Sequence, residues 1–332
     1  MKQRVDGIIH NIGQLVTLEG PPVPRRGAAM QALGIIESAA VAMRGERIAA
    51  AGTEADVLAA FEAPASETFD AEGGVVLPGF VDPHTHVLFA GSRWREFELR
   101  CQGRSYQEIA ATGGGIRSSV RAFRAATDEA LKAQTRRRLD RMLALGTTTV
   151  EAKSGYGLNT EQELRALRLI DELDTEHPID LVPTFLGAHE FPDEYRTDRD
   201  GYVRLITDEM LPRVVAETRA CFCDVFCEEG VFSAEQSRAI LQAAHRLGLG
   251  LKLHADEFAP VGGSELAAEL GAVSADHLLE ATEHGLRALQ RGGVTAVLLP
   301  VTSLSLGKGR YAAARTMIQM EIPVALATDC NP

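Results

Sequence analysis

The chain has 332 residues, 45% hydrophobic and 24% charged, figures that support a sizeable core and exclude disorder, collagen and coiled coil. Lys and Arg total 34 against 46 Asp and Glu, a net charge of -12, the wrong sign for a general nucleic-acid or anionic-membrane binder. Any anionic small-molecule ligand must therefore be met by locally placed cations. Five cysteines, three of them crowded at Cys221, Cys223 and Cys227, do not make a disulfide framework and fit a reducing cytoplasm. The opening Met1 to Asp6 lacks the apolar core of a signal peptide, and no run approaches the roughly 18 apolar residues of a membrane helix.

Residues 4 to 20 and 40 to 52 are short apolar runs broken by glycine, and Val41 to Ala50 reads as a hairpin turning at Arg44-Gly45-Glu46. Between the runs, Pro21 to Gly27 is a loop, because successive prolines remove backbone donors. After Gly73-Gly74 the pattern becomes buried strands alternating with amphipathic helical stretches, as in βαβ units around a parallel sheet. Strands are predicted to end near His86, Lys153, Gly187, Glu228, His254, His277, Pro300 and Asp329. Helical stretches are predicted at about 105–145, 160–176, 194–219, 234–247, 263–270, 280–291 and 310–320, by the length and periodicity of their apolar patterns. This is the arithmetic of an α/β fold, a (β/α)8 TIM-like barrel over residues 73–332, preceded by a small β-sandwich-like domain over 1–72. The chain stops at Pro332 directly after the eighth strand, so it reads as a C-terminally shortened protein lacking the last barrel helix and the rest of the β domain.

Barrel chemistry sits at the C-terminal ends of the strands. Strand one ends Asp82-Pro83-His84-Thr85-His86, and i, i+2 spacing on an extended strand turns both imidazoles to one side. Strand five ends in His254, strand six in Asp276-His277 and strand eight in Asp329. Three neutral imidazoles (His84, His86, His254) with one carboxylate (Asp329) suit a borderline cation such as Zn²⁺ or Fe²⁺ better than the hard cations, which prefer oxygen shells. His10, His177, His245 and His284 read as surface or satisfied core residues.

Pro78 to His86, together with the His254, His277 and Asp329 strand ends, resembles the amidohydrolase superfamily of metal-dependent hydrolases. Within it, His86 to Arg93, Ala111 to Ile116, Glu151 to Gly157, Phe185 to His189, Lys252 to Glu257 and Ala327 to Pro332 resemble the imidazolonepropionase family over essentially the whole chain. The resemblance implies hydrolysis of 4-imidazolone-5-propanoate to N-formimino-L-glutamate in histidine degradation. It also implies metal ligands at His84, His86, His254 and Asp329 and substrate contacts at Arg93, Tyr156, His189, Glu257 and Asn331. Binuclear members of the superfamily bridge two ions with a carboxylated lysine at the end of the fourth strand. Here that strand reads Asp224-Val225-Phe226-Cys227-Glu228, which implies one Zn²⁺ or Fe ion per subunit.

Elementary chemistry agrees with that expectation, since a bound transition metal acidifies its water and polarises a carbonyl. Asp329 is the candidate proton carrier, from the water to the leaving nitrogen. His277 either positions the water or stabilises the oxyanion, or stands behind the metal site as a supporting group or ligand. Arg93 is the candidate partner of the propanoate, by a bidentate fork, and Glu257 can accept from a ring N–H. Gly113-Gly114-Gly115 lacks the context of a phosphate loop and reads as a turn at the mouth. The Cys221, Cys223 and Cys227 group reads as small buried hydrophobes. Two other readings stand beside this one: a ring aminohydrolase that deaminates a nucleobase, for which Arg93 would have no task, and a non-catalytic barrel scaffold. A homodimer is expected from base rates alone.

Overall fold

The computed structural model describes residues 1–104, 108–109 and 113–332. They fall into two compact units, Met1–Gly79 and Phe80–Pro332. In the first, β1 (Gln3–Arg4), β2 (Gly7–Val16), β3 (Ile35–Arg44), β4 (Arg47–Thr53), α1 (Glu54–Ala60), β5 (Phe61–Glu62), β6 (Thr68–Asp70) and β7 (Val75–Val76) follow one another. The order β4-β3-β2-β6, with β7 also on β2, makes one sheet, and β1 pairs with β5 in a second. The predicted hairpin is the antiparallel pairing of β3 with β4. The expected boundary after residue 72 precedes β7, and Gln14 and Leu15 pair with Val75 and Val76, so residues 73–79 stay with this unit.

The second unit contains eight parallel strands: β8 (Phe80–Thr85), β9 (Thr147–Lys153), β10 (Asp180–Ala188), β11 (Phe222–Cys227), β12 (Gly250–Ala255), β13 (Ser274–His277), β14 (Thr295–Leu298) and β15 (Val324–Leu326). Each pairs with its neighbour in chain order. The ring closes where Thr85 bridges Cys330, His86 N–H donates to the Cys330 carbonyl at 2.9 Å and Asp329 N–H to that of His84 at 3.0 Å. Among the described residues the helices are α2 (Trp94–Cys101), α3 (Ile116–Ala125), α4 (Asp128–Ala144), α5 (Thr160–Glu176), α6 (Arg199–Leu205), α7 (Leu211–Glu217), α8 (Ala234–Arg246), α9 (Gly263–Leu270), α10 (Glu283–Gly292), α11 (Pro300–Ser305) and α12 (Ala314–Gln319).

Local chemistry explains the sharper boundaries. Asn159 caps α5 by accepting from Gln162 N–H at 3.0 Å, and Ser233 with Gln236 forms a reciprocal capping box at α8. The stretch expected as one helix over 105–145 is instead broken at Ala126-Thr127, where Thr127 caps α4. Part of that stretch, and Ala111-Thr112 of the motif read above, lie outside the described residues. Helices α2 and α11 lie outside the predicted stretches. Period-two alternation sorts the strands: Val150, Ala152, Cys223, Val225, Leu251 and Leu253 join the apolar core cluster, while Glu151, Lys153, Asp224, Lys252 and His254 are buried polar residues of opposite parity.

Asp82 ties the first strand to the last: its carboxylate accepts from Thr328 N–H at 3.1 Å and from the Thr328 hydroxyl at 2.6 Å. Asp82→Ala strips two charge-assisted bonds from the seam and is expected to lower stability by about 1.5–3 kcal/mol. Urea unfolding checks this, and an unchanged midpoint would show that the seam is held without it.

Candidate active site

The strand ends gather the predicted residues at one rim. His84 Nε2 and His86 Nε2 each lie 3.5 Å from Asp329 Oδ1, and His254 Nε2 lies 3.3 Å from His86 Nε2. Four donors placed tetrahedrally about one transition-metal ion, at bonds of about 2.0–2.2 Å, stand roughly 3.3–3.6 Å apart. His84 Nε2 is buried with no hydrogen-bond partner, an arrangement that costs free energy unless a cation or proton meets it. The residues present therefore fit a metal ion. Ligating atoms of His277 with His84 and His254, and of His189 with His86 and His254, also lie within 4.8 Å of one another.

Behind the rim lies a layer that the motifs did not reveal. His84 Nδ1 meets Asp276 Oδ2 at 2.5 Å, and His254 Nδ1 lies 2.9 Å from Asp224 Oδ2. A carboxylate on Nδ1 fixes the ring and turns Nε2 to the cavity. Lys153 Nζ donates to Asp224 at 2.7 Å and to Glu151 at 2.9 Å. Lys252 Nζ donates to Glu151 at 2.7 Å and to the Pro83 carbonyl at 2.9 Å, and both ammoniums lie 3.8 Å from Asp276. Ser274 and Thr184 hydroxyls add bonds of 2.6 Å to Asp276 and Glu151. Two ammoniums thus face three carboxylates, leaving a negative residue of charge beneath the imidazoles.

The titration shifts follow from this packing. Burial opposes ionisation of Asp224 and Asp276, yet the charges of His254 and Lys153 on Asp224, and of Lys252 and His84 on Asp276, hold both well below the usual carboxylate range. Burial and Lys153 disfavour a charged His84, but the bond to Asp276 and the nearby carboxylate of Asp329 outweigh them and raise it to about 9. Burial lowers His189 and His277 to about 3, so both rings are neutral near pH 7.

The other predicted residues line a cavity of about 320 Å³ at this rim, within the small-molecule range. Tyr156 is buried, with its ring 5.3 Å from that of His189. His189 stacks on His86 at 4.8 Å and directs Nδ1 at the Gly155 carbonyl, 2.9 Å away. Asn331 and Arg93 bond to each other, Nη2 to Oδ1 at 3.0 Å, and Arg93 Nε donates to the Pro332 carbonyl at 3.2 Å. Glu257 Oε1 lies 3.7 Å from His277 Nδ1, and burial, reinforced by Asp329 and Glu228, pushes its carboxyl well above the usual range. His277 and Asp329 have φ of 75° and 53°, a region sparsely used by non-glycine residues and recurrent at functional sites. Thr302 of α11 was missed by the motifs: its hydroxyl donates to Asp329 Oδ2 at 2.7 Å.

The cysteines need one correction. Cys223 and Cys227 are buried as expected, but Cys221 is exposed, as is Cys101, because Cys221 lies ahead of β11. Burial raises the Cys223 thiol and lifts Cys227 and Cys330 to about 11. At pH 8 an aromatic disulfide reagent is expected to modify two thiols rapidly in the native chain, Cys101 and Cys221, since thiolate and access are both required. A third fast thiol would contradict this packing. Lys153→Met, which leaves buried carboxylates uncompensated, is expected to cost about 3–5 kcal/mol in denaturant unfolding of the metal-free protein; a loss below about 1 kcal/mol would mean that Lys252 alone suffices.

Residues 67–117 match the Amidohydrolase family. An imidazolonepropionase of Solibacter usitatus is 53% identical over 327 residues, covering 98% of this chain and 78% of that relative. One of Alkaliphilus metalliredigens is 49% identical over 328 residues, covering 99% and 78%. Among solved structures, a zinc-bound adenosine deaminase of Xanthomonas campestris aligns with a TM-score of 0.66 at 18% identity, covering 99% of this chain and 70% of that one. A 5-methylcytosine deaminase of Klebsiella pneumoniae aligns with a TM-score of 0.69 at 16% identity, covering 98% and 75%. At that identity the two structures speak for the barrel fold alone. About half the residues shared over nearly the whole chain decide the closer kinship: the chain belongs to the imidazolonepropionase family of amidohydrolases, hydrolases of histidine degradation.

Proposed function

We propose that the chain opens the cyclic amide of 4-imidazolone-5-propanoate to give N-formimino-L-glutamate, with His84, His86, His254 and Asp329 holding one zinc or iron ion. The observation that carries the ligand assignment is the 3.3–3.5 Å spacing of donor atoms on three different strand ends. An ion bound there supplies an acidified water and a positive charge for the amide oxygen. Asp329 takes the proton that the water sheds as its oxygen bonds to the ring carbon, and delivers it to the nitrogen as the C–N bond breaks. Thr302, bonded to Asp329 Oδ2, keeps that carboxylate turned toward the site. His277 Nε2, buried without a partner, serves the carbonyl oxygen as negative charge develops there.

Arg93 pairs with the propanoate through a guanidinium that Asn331 and the Pro332 carbonyl hold in place. With Nδ1 given to Gly155, His189 keeps Nε2 as an acceptor for a ring N–H, beside Tyr156. Glu257, whose carboxyl is raised by burial, accepts from a ring N–H. No helix among the described residues is long and apolar enough to cross a membrane, and the acidic net charge of -12 argues against nucleic-acid partners. Cytoplasmic location and a homodimer belong to the same reading, supported by the cysteine usage and by the prevalence of two-fold assemblies.

Assay of the purified chain on imidazolone propanoate, before and after chelation, tests the reaction. Activity is expected to vanish on chelation and to return with Zn²⁺ or Fe²⁺. Asp329→Asn keeps three imidazoles and is expected to retain most of the metal while turnover falls by about a hundredfold or more. Undiminished turnover in that variant would remove Asp329 as the proton carrier, and a metal-filled protein inert toward the substrate would overturn the reaction.

A further inference from the structure

The turn between β9 and α5 is gathered around one buried carboxyl group. Glu163, in the first turn of α5 and fully buried, accepts on Oε1 from Gly157 N–H and Leu158 N–H, each at 2.8 Å. Its two oxygens share Gly155 N–H, at 3.2 and 3.1 Å. An acidic residue at a helix start ordinarily serves its own helix, but here Asn159 caps α5 and Glu163 reaches back over the turn instead. From the other side Arg124 of α3 donates to the Gly157 carbonyl at 2.7 Å and to that of Leu158 at 3.2 Å. Gly155 and Leu158 have φ of 102° and 49°; a leucine in that region persists where its surroundings over-determine it.

The Gly155–Tyr156 peptide bond is thereby bracketed by two N–H groups, of Gly155 and Gly157, that both go to Glu163. Its carbonyl meets His189 Nδ1 at 2.9 Å. A Cβ at residue 155 would stand 2.9 Å from that same nitrogen, so the approach requires glycine. His189 lines the 320 Å³ cavity, whereas Glu163 lies behind its wall.

We propose that Glu163 is a positioning residue, which pins the Gly155 peptide and through it fixes the orientation and tautomer of His189. A carbonyl only accepts, so Nδ1 carries the ring proton and Nε2 is left as the acceptor. That Nε2 then receives a ring N–H of the substrate rests on the reaction proposed above. Without the grip of Glu163, a glycine is free to rotate, and the carbonyl that selects the tautomer leaves the ring. Glu163→Gln keeps the volume of the side chain, but whichever way its amide turns, the NH₂ faces an N–H of the turn, donor against donor.

The zinc-loaded protein labelled with ¹⁵N-histidine tests this by two-bond ¹H–¹⁵N correlation, in which the two imidazole tautomers give distinct patterns. The His189 signals are those missing in His189→Gln. In the unaltered chain they are expected to show the Nδ1–H tautomer, and in Glu163→Gln a mixture of both. The same variant is expected to raise KM for imidazolone propanoate by about threefold to tenfold, as loss of one hydrogen bond does, with kcat within about twofold, because a contact made equally in ground and transition states acts on KM. Glu163→Asp keeps the carboxyl a methylene short; it is expected to lie between the two and carries the measurement if the glutamine variant does not fold. His189 signals unchanged in the variants, or a reduced active fraction with KM unaltered, would overturn the assignment and leave Glu163 as a brace of the fold alone. The ring signals are read without substrate, so an unaltered chain inert toward imidazolone propanoate would count against the reaction and not against the positioning of His189.

Discussion

Two lysine ammoniums buried inside the barrel, holding three carboxylates of which Asp224 and Asp276 in turn hold imidazoles, are the constraint on which the rim depends. Burying such charges is expensive, and an apolar filling of the same volume would be as stable or more so. What the ionic layer provides is direction. Asp276 on His84 and Asp224 on His254 fix which nitrogen of each ring faces the cavity, and Lys153 and Lys252 fix the carboxylates. Apolar packing would leave each ring two faces and two tautomers to choose between. The surplus of one carboxylate over the ammoniums also leaves the floor negative, favouring a cation above it.

The barrel makes this arrangement economical. Strand parity sends alternate residues inward, so Lys252 and His254 share a face of β12 while Leu251 and Leu253 pack outward into the core. The register sets Asp224 beside Lys252, and His254 beside Asp276. Asp276 therefore stands level with His254 while its own carboxylate meets His84 Nδ1. At the rim the chain leaves regular geometry, with His277 and Asp329 both at positive φ. Each is then carried inward by a local bend that a continuing strand would not permit, at a backbone cost that the closed ring beneath can sustain.

Much of this was legible in the chain before any coordinates. His84-Thr85-His86, His254 and Asp329 could be read because metal binding and strand periodicity act through short, local spacings. The eight strand ends followed from the same alternation. Lys153 and Lys252 were harder, since a charged residue inside a strand carries no motif. Their only signal is inward parity with a histidine two residues on, or with a glutamate two residues back. Thr302 was invisible for another reason. It lies on α11, a turn and a half of helix following Pro300, too short for periodicity to register. Helix α2 escaped for the opposite cause: its apolar residues point outward, so the pattern that announces an amphipathic helix is displaced from the face that does the packing.

That displacement connects the sequence-wide charge to the site. An acidic protein discourages anions everywhere except where cations are grouped, and a long-range negative field is weakened by salt over about 8 Å at physiological ionic strength, whereas contacts inside a cavity are screened much less. Global charge and local recognition therefore act on different length scales and need not agree. Arg93, the N-cap of α2, is the local cation of the proposed function, and Glu96, fixed to the Gly115 N–H, keeps the helix registered against the turn beside it. The helix itself buries none of its residues, whereas His84, His86 and Asp329 stand where the first and last strand ends of the barrel are joined by backbone hydrogen bonds.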